Sequence, residues 1–404
     1  MTFILAKTRD FYNTHLGLWQ RRFLIELFEG LIQMRGRVNF TNLARYSRFG
    51  EQTFRRQFQK GVDFVALNLT MLRLQVHPRK TLIGVFDATF VPKSGTAFYG
   101  VDSFFSSALG RATRGQEVSI LGVVGTQSRR AFAVDATQTP PGLPHPSGYS
   151  AVDVYIEQIQ DLHPRLAALG VTCWVGDGFY AKKKVIDAVT ALGGTLITRL
   201  RSDANLRYLY TGPPLRRPGR PRRYDGKIHW TDIAWDDPAQ PPPLFEEVGR
   251  LPDRPEVEVW TTLANSPHFG CDVRIVVLRK PATGDCLVLA STDLTQPAET
   301  IVAYYRLRYQ IEFVIRDAKQ HAGLTHGQAR SQEKIDVHLS ASLTATNLLR
   351  LLAAQSESTL GSMRRWAYNR MLAGWLFSQL GLDPEWSVSD PEVQPVLHTG
   401  RMAA

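Results

Sequence analysis

Two apolar, β-rich runs that each end in an aspartate constrain this chain more than any other feature of its sequence. TLIGVF leads into Asp87, and VTCWVG leads into Asp177. Ligands of open α/β sheets collect at the carboxyl ends of the strands, so we expect the two aspartates to share one edge. Their oxygens suit Mg²⁺ or Mn²⁺. The alternative is a pair of ordinary turn or helix-cap aspartates.

The order of the predicted elements indicates an α/β fold around a mixed sheet. Besides the two runs, we predict strands over 118–124, 130–136, 195–200 and 287–292, and helices over 151–169, 182–192 and 296–321. Three strands, a helix and then strand–helix–strand predict a sheet with both parallel and antiparallel neighbours.

Changes in composition divide the chain into five regions. The proline-rich PAQPPP and alternating pieces such as CDVRIVVL break the α/β rhythm, which predicts a mostly β insertion. The regions are a helical N-terminal part (1–79), the first part of the core (80–200), the insertion (201–285), the second part of the core (286–355) and a helical C-terminal part (356–404).

The charge of the chain favours a nucleic-acid partner. Its 48 lysines and arginines exceed its 37 acidic residues, giving a net charge of +11. The alternative is a basic protein that its charge keeps in solution. Three widely spaced cysteines fit neither a zinc site nor a disulfide framework, so we expect a reducing cytosol near the nucleoid. We expect no signal peptide and no membrane span.

The segment FTNLARYSRFGEQTFRRQF in the N-terminal region is typical of a helix-turn-helix. Thr41 is placed to cap a first short helix, and Gly50 lies at the turn. A second helix that begins near Glu51 would present Arg55 and Arg56 to DNA. The alternative is an ordinary helical hairpin with a basic outer face.

The predicted helix over 296–321 gathers chemistry-bearing side chains on one face. At about 100° per residue, four side chains fall within a stripe of roughly 60°. They are Tyr305, Arg308, Glu312 and Lys319. An apolar face suited to packing on the sheet is formed by Leu307, Ile311, Val314 and Ala318. We therefore expect the stripe to be exposed. The alternative is a plain surface pair of Arg308 and Glu312.

The spacing of that stripe resembles a known signature. Tyr305, two residues, Arg308, three residues, Glu312, six residues and Lys319 look like the Y-R-E-K signature of insertion-sequence DDE transposases, family four and its relatives. FDATFVPKSG and VGDGFYAKK are similar to the first and second aspartate motifs of that group. The resemblance covers roughly residues 80–350. One departure is Tyr309, where the group commonly has tryptophan.

The resemblance implies a ribonuclease-H-like core and a metal-dependent active site. In that family's pattern Asp87, Asp177 and Glu312 are the catalytic residues and hold two Mg²⁺ (or Mn²⁺) ions per site. Arg308 and Lys319 would grip phosphates at the transposon end. Tyr305 would contact a phosphate or stack beside a displaced base. Whether a DNA hairpin forms during cleavage stays open.

A basic run, LRRPGRPRR, lies within the insertion and looks like an AT-hook. Proline keeps such a strand extended, glycine lets the backbone enter deeply, and arginine suits a narrow minor groove. The candidate DNA contacts are Arg217, Arg220 and Arg222. The alternative is a solvated, flexible loop.

These patterns predict a cut-and-paste DNA transposase that acts on double-stranded DNA, at its terminal inverted repeats and at a target. We expect a homodimer in the DNA complex, because two ends must be held together. The alternative is a transposase-derived DNA-binding protein without catalytic activity, and a third reading is a host nuclease of the same fold. Asp102 and Asp135 are weaker rivals of Asp87 as ligands, and Lys93 and Lys182–Lys184 are weaker candidates for phosphate contact.

Overall fold

The computed structural model of the protein describes residues 16–75, 80–95, 97–106, 109–213, 221–229, 233, 235 and 244–400. Within these ranges the protein has twelve strands in one sheet, with helices on both faces and at both ends. The predicted α/β class with a mixed sheet and helical ends is therefore confirmed.

Strands β1 to β4 follow one another, helices separate β4, β5 and β6, and the remaining strands again follow one another. They are β1 (Leu82–Pro92), β2 (Asp102–Ser106), β3 (Arg111–Gly125), β4 (Arg130–Gln138), β5 (Cys173–Val175), β6 (Thr195–Leu200), β7 (Arg207–Leu209), β8 (Tyr224–Lys227), β9 (Glu246–Leu251), β10 (Arg254–Ser266), β11 (Cys271–Arg279) and β12 (Cys286–Ser291).

The helices of the described residues fall into an N-terminal group, a pair between strands and a C-terminal group. They are α1 (Leu18–Gln33), α2 (Phe40–Arg45), α3 (Glu51–Gln57), α4 (Phe64–Gln75), α5 (Ala151–Ala167), α6 (Lys183–Ala191), α7 (Ala298–Leu307), α8 (Tyr309–His321), α9 (Gln332–Gln355), α10 (Leu360–Gln379), α11 (Pro384–Ser389) and α12 (Gln394–Leu397). A 3₁₀ turn spans Gly178–Tyr180.

The sheet is parallel at its centre and antiparallel on both sides. Its order is β2-β3-β1-β5-β6-β12-β11-β10-β7-β8, with β4 on β3 and β9 on β10. The pairs β1–β5 and β5–β6 are parallel, because α5 and α6 provide the crossovers that parallel neighbours need. The strands of the predicted insertion extend the same sheet through β11 and β12.

Alternation along β1 sends side chains to two different cores. Leu82 and Phe86 join an apolar cluster beneath α5 and α6. Ile83 and Val85 join a second cluster beneath α7, α8 and α9. Since successive strand residues point to opposite faces, Asp87 belongs with Ile83 and Val85 on the face that α8 covers.

The N-terminal and C-terminal helices share a third core. Phe23 and Leu27 of α1 are buried together with Leu348 of α9 and Met363 of α10. The Arg364 guanidinium adds hydrogen bonds to two backbone carbonyls at the end of α1. The two ends of the chain therefore form one helical layer beside the sheet.

Three local expectations need correction. β1 does not end at Asp87 but runs on to Pro92, because β3 pairs with it along its whole length. Asn39, and not Thr41, caps α2; its side chain accepts from the Asn42 amide, while the Thr41 hydroxyl donates to Glu51.

The third correction concerns the predicted helix over 296–321, which is two helices joined at Arg308. The amides of Arg308 and Ile311 bond three residues back rather than four, which tightens the chain there. Among the described residues, no helix is both long and apolar enough to cross a membrane.

Candidate active site

Parallel pairing places Asp87 and Asp177 side by side. Val85 of β1 lies opposite Val175 of β5. Each aspartate lies two residues beyond its valine, and the Asp177 carboxylate is close enough to Asp87 to help raise the pKa of Asp87. The sequence predicted both aspartates at the carboxyl ends of their strands; Asp177 follows the end of β5, whereas Asp87 lies inside β1.

Local hydrogen bonds fix Asp177 where the chain leaves β5. Its Oδ1 accepts from the Phe179 amide at 2.9 Å and so caps the 3₁₀ turn. The buried Thr198 hydroxyl of β6 donates to the Asp177 carbonyl at 2.7 Å. Sequence analysis gave Thr198 no role, because only the pairing of β5 with β6 brings it here.

Close packing of α8 on the sheet brings Glu312 over the aspartates. Ile311 is fully buried and lies on Gly122 of β3, where a Cβ would come within 2.7 Å of Ile311 Cδ1 and 2.8 Å of the Phe132 carbonyl oxygen. Only a glycine allows a helix to approach a strand this closely. Glu312, the next residue, is therefore held at the edge of the helix above β1.

Arg308 lies between two of the carboxylates. Its Nη2 lies 2.8 Å from Glu312 Oε1, and its Nη1 lies 3.9 Å from Asp87 Oδ2. The Arg308 side chain is only 7% exposed, so the contact with Glu312 is not an ordinary surface pair. Its Nε is buried with no hydrogen-bond partner in the described structure. The guanidinium is thus the counter-charge of the cluster.

The predicted stripe is less exposed than its sequence suggested. Tyr305 and Arg308 are buried, whereas Glu312 and Lys319 are half-buried. The opposite face behaves as predicted, with Leu307, Ile311, Val314 and Ala318 all buried. The insertion strands cover α7 from the side, which the sequence pattern of one helix does not reveal.

Burial raises the pKa of Asp87 to about 7. The Arg308 guanidinium opposes that rise, while the nearby carboxylates of Asp177 and Glu312 add to it. The three acidic side chains therefore interact electrostatically, although they are distant along the chain. Lys319 lies close enough to Asp87 for the two charges to interact. Its Nζ donates to the Phe90 carbonyl at 3.1 Å, and burial lowers its pKa.

A cluster of buried aromatic side chains, which was not predicted from the sequence, lies behind the aspartates. Tyr180 is 1% exposed, packs edge-on to Phe86 at 4.4 Å between ring centroids, and has a hydroxyl without a partner among the described residues. Its pKa is well above the usual value, because of burial first and Asp87 second. Tyr155 donates to Glu117 beside it. The signal was present in VGDGFYAKK, where an aromatic pair follows Asp177 after a single glycine.

The donor chemistry of the cluster fits a hard divalent cation. Its three carboxylates offer only oxygen ligands, which suits Mg²⁺ or Mn²⁺. In the part of the chain that the structure describes, no three histidine, cysteine or acidic side chains are gathered closely enough to form a metal site. Arg308 lies where the carboxylates would converge, so binding a cation requires its guanidinium to move.

A family model described as DDE superfamily endonuclease matches residues 15–250, which is more than half of the chain. The chain belongs to the DDE superfamily of endonucleases. It is therefore a member of a family of endonucleases, whose enzymes generally depend on metal ions. The matched segment of this DDE endonuclease contains Asp87 and Asp177 and ends before α8, which carries Glu312.

One curated relative points in the same direction over a shorter stretch. The chain is 33% identical to "Putative transposase y4zB" of Sinorhizobium fredii (strain NBRC 101917 / NGR234) over 85 residues, 21% of this chain and 24% of that protein. The match spans about a quarter of the relative's length. It supports a distant similarity of this DDE endonuclease to a transposase.

Two of the other predicted DNA contacts, Arg55 and Arg222, have acidic and aromatic partners of their own. Arg55 pairs with Glu51 on α3 and stacks on Phe40, and Arg56 is exposed beside it. Arg222 pairs with Asp225 and lies over the Tyr210 ring. The other two arginines of the AT-hook-like run, Arg217 and Arg220, lie outside the described residues.

The weaker candidates have local partners. Asp102 accepts from the Gly142 and Ser103 amides, and Asp135 accepts from Gln158 and Thr137. Among the lysines, Lys93 donates to the Gly327 carbonyl, Lys182 stacks on Phe179, Lys183 pairs with Asp187 and Lys184 pairs with Asp153.

Proposed function

We propose that this DDE endonuclease is a cut-and-paste DNA transposase, with Asp87, Asp177 and Glu312 as its catalytic carboxylates. The observation that supports the proposal is that Asp87 interacts electrostatically with both Asp177 and Glu312, while the buried Arg308 contacts Asp87 and Glu312. A structural ion pair needs one carboxylate and one cation. Two carboxylates that share one buried arginine, with a third close enough to interact with Asp87, are costly unless a function retains them.

We assign the finer family features on the same basis. The spacing of Tyr305, Arg308, Glu312 and Lys319 supports membership of the Y-R-E-K group related to insertion-sequence family four. The central order β3-β1-β5-β6, antiparallel and then parallel, supports a ribonuclease-H-like core. The core would comprise 80–200 and 286–355, interrupted by the insertion over 201–285. Residues 1–79 would form the DNA-binding region and 356–404 the C-terminal region.

The carboxylates would hold two Mg²⁺ or Mn²⁺ ions. When bound, such ions supply activation of the attacking oxygen and charge neutralisation at the leaving oxygen. The protein's part is to fix its ligands before DNA arrives. The Phe179 amide and the Thr198 hydroxyl hold Asp177, and Gly122 holds α8, and hence Glu312, close to the sheet.

Three further side chains would position the DNA strand. Arg308, which pairs with Glu312 here, and Lys319, anchored on the Phe90 carbonyl, would bind phosphates beside the cut. Tyr305 lines a cavity of about 350 Å³ with apolar walls and Arg199, which suits a phosphate or a displaced base beside its ring. We propose a homodimer on the DNA, because terminal inverted repeats present two ends.

The decisive experiment is incubation with double-stranded DNA from the element's own flanks and Mg²⁺, with products resolved on a denaturing gel. The wild type is expected to release 3′-hydroxyl ends and join them to a target, whereas Glu312→Gln binds the DNA without cutting it. Glu299→Gln is the matched control, because Glu299 is exposed on α7, one helix earlier.

The outcomes separate the proposal from its rivals. DNA binding without cutting by the wild type would indicate a transposase-derived binding protein and overturn the catalytic assignment. Cutting without joining would indicate a nuclease of the same fold. Cutting by Glu312→Gln at the wild-type rate would remove Glu312 from the site.

A further inference from the structure

A cavity of about 270 Å³ opens between the loop after α1, the end of α8 and the start of α10. Five basic or imidazole side chains line it: Arg35, His321, His326, Arg364 and Arg365. None of the lining residues that the structure describes is aspartate or glutamate. We propose that this cavity, hereafter the α10 cavity, binds a backbone phosphate of DNA.

The arginines of the α10 cavity are pre-positioned by contacts other than ion pairs. Arg364 donates to the carbonyls of Ile32 at 3.3 Å and Met34 at 2.8 Å, which close the end of α1. Arg35 stacks on the Tyr368 ring at 4.0 Å from the ring centroid. Since both side chains are already ordered, a phosphate meets them at a small entropic cost.

Among the described residues no carboxylate lines this cavity, although Asp317 lies close enough to His321 to oppose the lowering of its pKa. Burial is the cause that lowers the pKa of Arg364, with no acidic group opposing it. His321 lies close enough to Arg364 for that cation to lower its pKa, after burial. An anion in the cavity would therefore relieve a repulsion that the protein alone leaves in place.

The amino end of α10 adds to the positive potential in the α10 cavity. α10 runs for 20 residues from Leu360, and Gly361 in its first turn lines the cavity. The amino end of a long helix carries partial positive charge and free amide groups, which favours an anion. The added Cβ of an alanine at Gly361 would meet only the Thr359 hydroxyl, at 4.0 Å, so the turn is open to a ligand.

Two adjoining cavities indicate an extended polyanion rather than a small ion. One of about 610 Å³ shares Arg35 with the α10 cavity and adds Arg37 and Arg45. Another of about 660 Å³ shares Val38 and is lined by cations at three positions, Arg55, Arg330 and Lys334. Neither has an acidic residue among its described lining. A row of cavities lined by basic and not by acidic residues matches the repeated phosphates of a DNA strand.

This inference rests on the proposed function, since it needs DNA as the ligand. It adds to the predicted DNA contacts the α10 cavity, whose lining residues no sequence motif indicated, next to Arg55 of the predicted helix-turn-helix. It also gives the N-terminal and C-terminal helices a shared role. Arg35 lies after α1 and Arg365 lies on α10, so each of them contributes to one phosphate site.

The test is DNA binding by the full chain in EDTA, which separates binding from cleavage. Arg35→Ala/Arg365→Ala removes two exposed cations of the α10 cavity and leaves Arg364 in place. Arg22→Ala/Lys80→Ala is the matched control, because it removes two exposed charges that line none of the three cavities. Fluorescence anisotropy of a labelled end duplex gives affinity at several salt concentrations.

The cavity variant is expected to lose affinity on the order of tenfold, and its salt slope is expected to fall by about 0.9, the value for one lost phosphate contact. The control is expected to keep the wild-type slope. Equal melting temperatures of both variants and the wild type exclude misfolding. Wild-type affinity and slope in the cavity variant would overturn the inference while leaving the proposed function standing.

A second arm compares inorganic phosphate with chloride at equal ionic strength. Stabilisation by phosphate in the wild type, together with undiminished DNA binding by the cavity variant, would mark a small-anion site and overturn the DNA assignment. If the wild type binds no DNA, the proposed function fails first and this inference with it.

Discussion

Nη1 of Arg308 lies 3.9 Å from Oδ2 of Asp87, while Nη2 of the same guanidinium lies 2.8 Å from Oε1 of Glu312. The arginine thus joins a strand to a helix through two carboxylates that would otherwise repel each other. Because the guanidinium is buried, this arrangement is stronger than a surface pair, yet it leaves Asp87 with a raised pKa. The metal-free site is consequently strained electrostatically, which has measurable consequences.

Asp87→Asn is expected to abolish cleavage and to stabilise the metal-free protein. At pH 8 the wild type must bury a carboxylate whose pKa is about 7, against 3.8 when exposed. That difference sets an upper limit of about 4 kcal/mol on the gain from a neutral amide. Thermal unfolding in EDTA measures it, with Asp203→Asn, at an exposed ion pair, as the control. A lower melting temperature for Asp87→Asn would contradict the electrostatic strain inferred for the metal-free site.

Divalent cations are expected to raise the melting temperature of the wild type. Binding to the folded state alone stabilises it by about 1.4 kcal/mol at ten times Kd. Asp177→Asn is expected to lose most of this effect, whereas Asp203→Asn keeps it. A wild type that Mg²⁺ and Mn²⁺ leave unchanged would argue against a cation site at the carboxylates.

Gly122→Ala is expected to reduce both stability and cleavage. Its new Cβ would lie 2.7 Å from Ile311 Cδ1 and 2.8 Å from the Phe132 carbonyl oxygen, so α8 must lift from the sheet. Overpacking of this kind costs about 1–3 kcal/mol, and the shift carries Glu312 away from Asp87. Denaturant unfolding and a cleavage assay measure the two effects. Gly61→Ala is the control, because nothing lies within 4 Å of its Cβ.

Thr198→Val is expected to slow cleavage with little effect on DNA binding. The Thr198 hydroxyl is buried and donates to the Asp177 carbonyl at 2.7 Å. Loss of this bond costs about 1 kcal/mol and frees the turn that holds the carboxylate. Single-turnover rates are compared with binding affinity, and Thr198→Ser is expected to restore the rate. A fall in affinity alone would assign Thr198 a different role.

His338 is expected to make the protein sensitive to acid. It is buried with Nε2 3.0 Å from the Gly323 carbonyl oxygen, and burial, helped by Lys93, lowers its pKa from 6.5 to about 4. Between these values the unfolded chain takes up a proton that the folded chain does not, so the unfolding free energy falls as the pH falls. The loss is up to about 3 kcal/mol.

Denaturant unfolding at pH 7 and pH 4.5 measures this dependence. His338→Gln is expected to flatten it, and His145→Gln, at an exposed loop, is expected to leave it unchanged. An unaltered pH dependence in His338→Gln would assign the acid sensitivity to other groups.

Sequence patterns predicted the type of each helix or strand around the site more accurately than the residues at which it begins and ends. The apolar run before Asp87 predicted a strand, but only the pairing with β3 carries that strand on to Pro92. The period of α7 and α8 predicted the buried face of Ile311 and Val314, yet not the burial of Tyr305. Periodicity describes one side of one helix, whereas neighbours from the insertion cover its other side.

The amino-acid sequence by itself determined which carboxylates were candidates, which helix face carried Glu312 and Arg308, and that the class was α/β. These features depend on the local periodicity and spacing of residues, which are properties of the sequence whatever its tertiary structure. Only the tertiary structure decided that Val85 pairs with Val175, that α8 settles on Gly122, and that Arg308 is buried between acids. Strand register and packing bring together residues that are far apart in the chain. No local sequence pattern specifies which distant residues will pair or pack with each other.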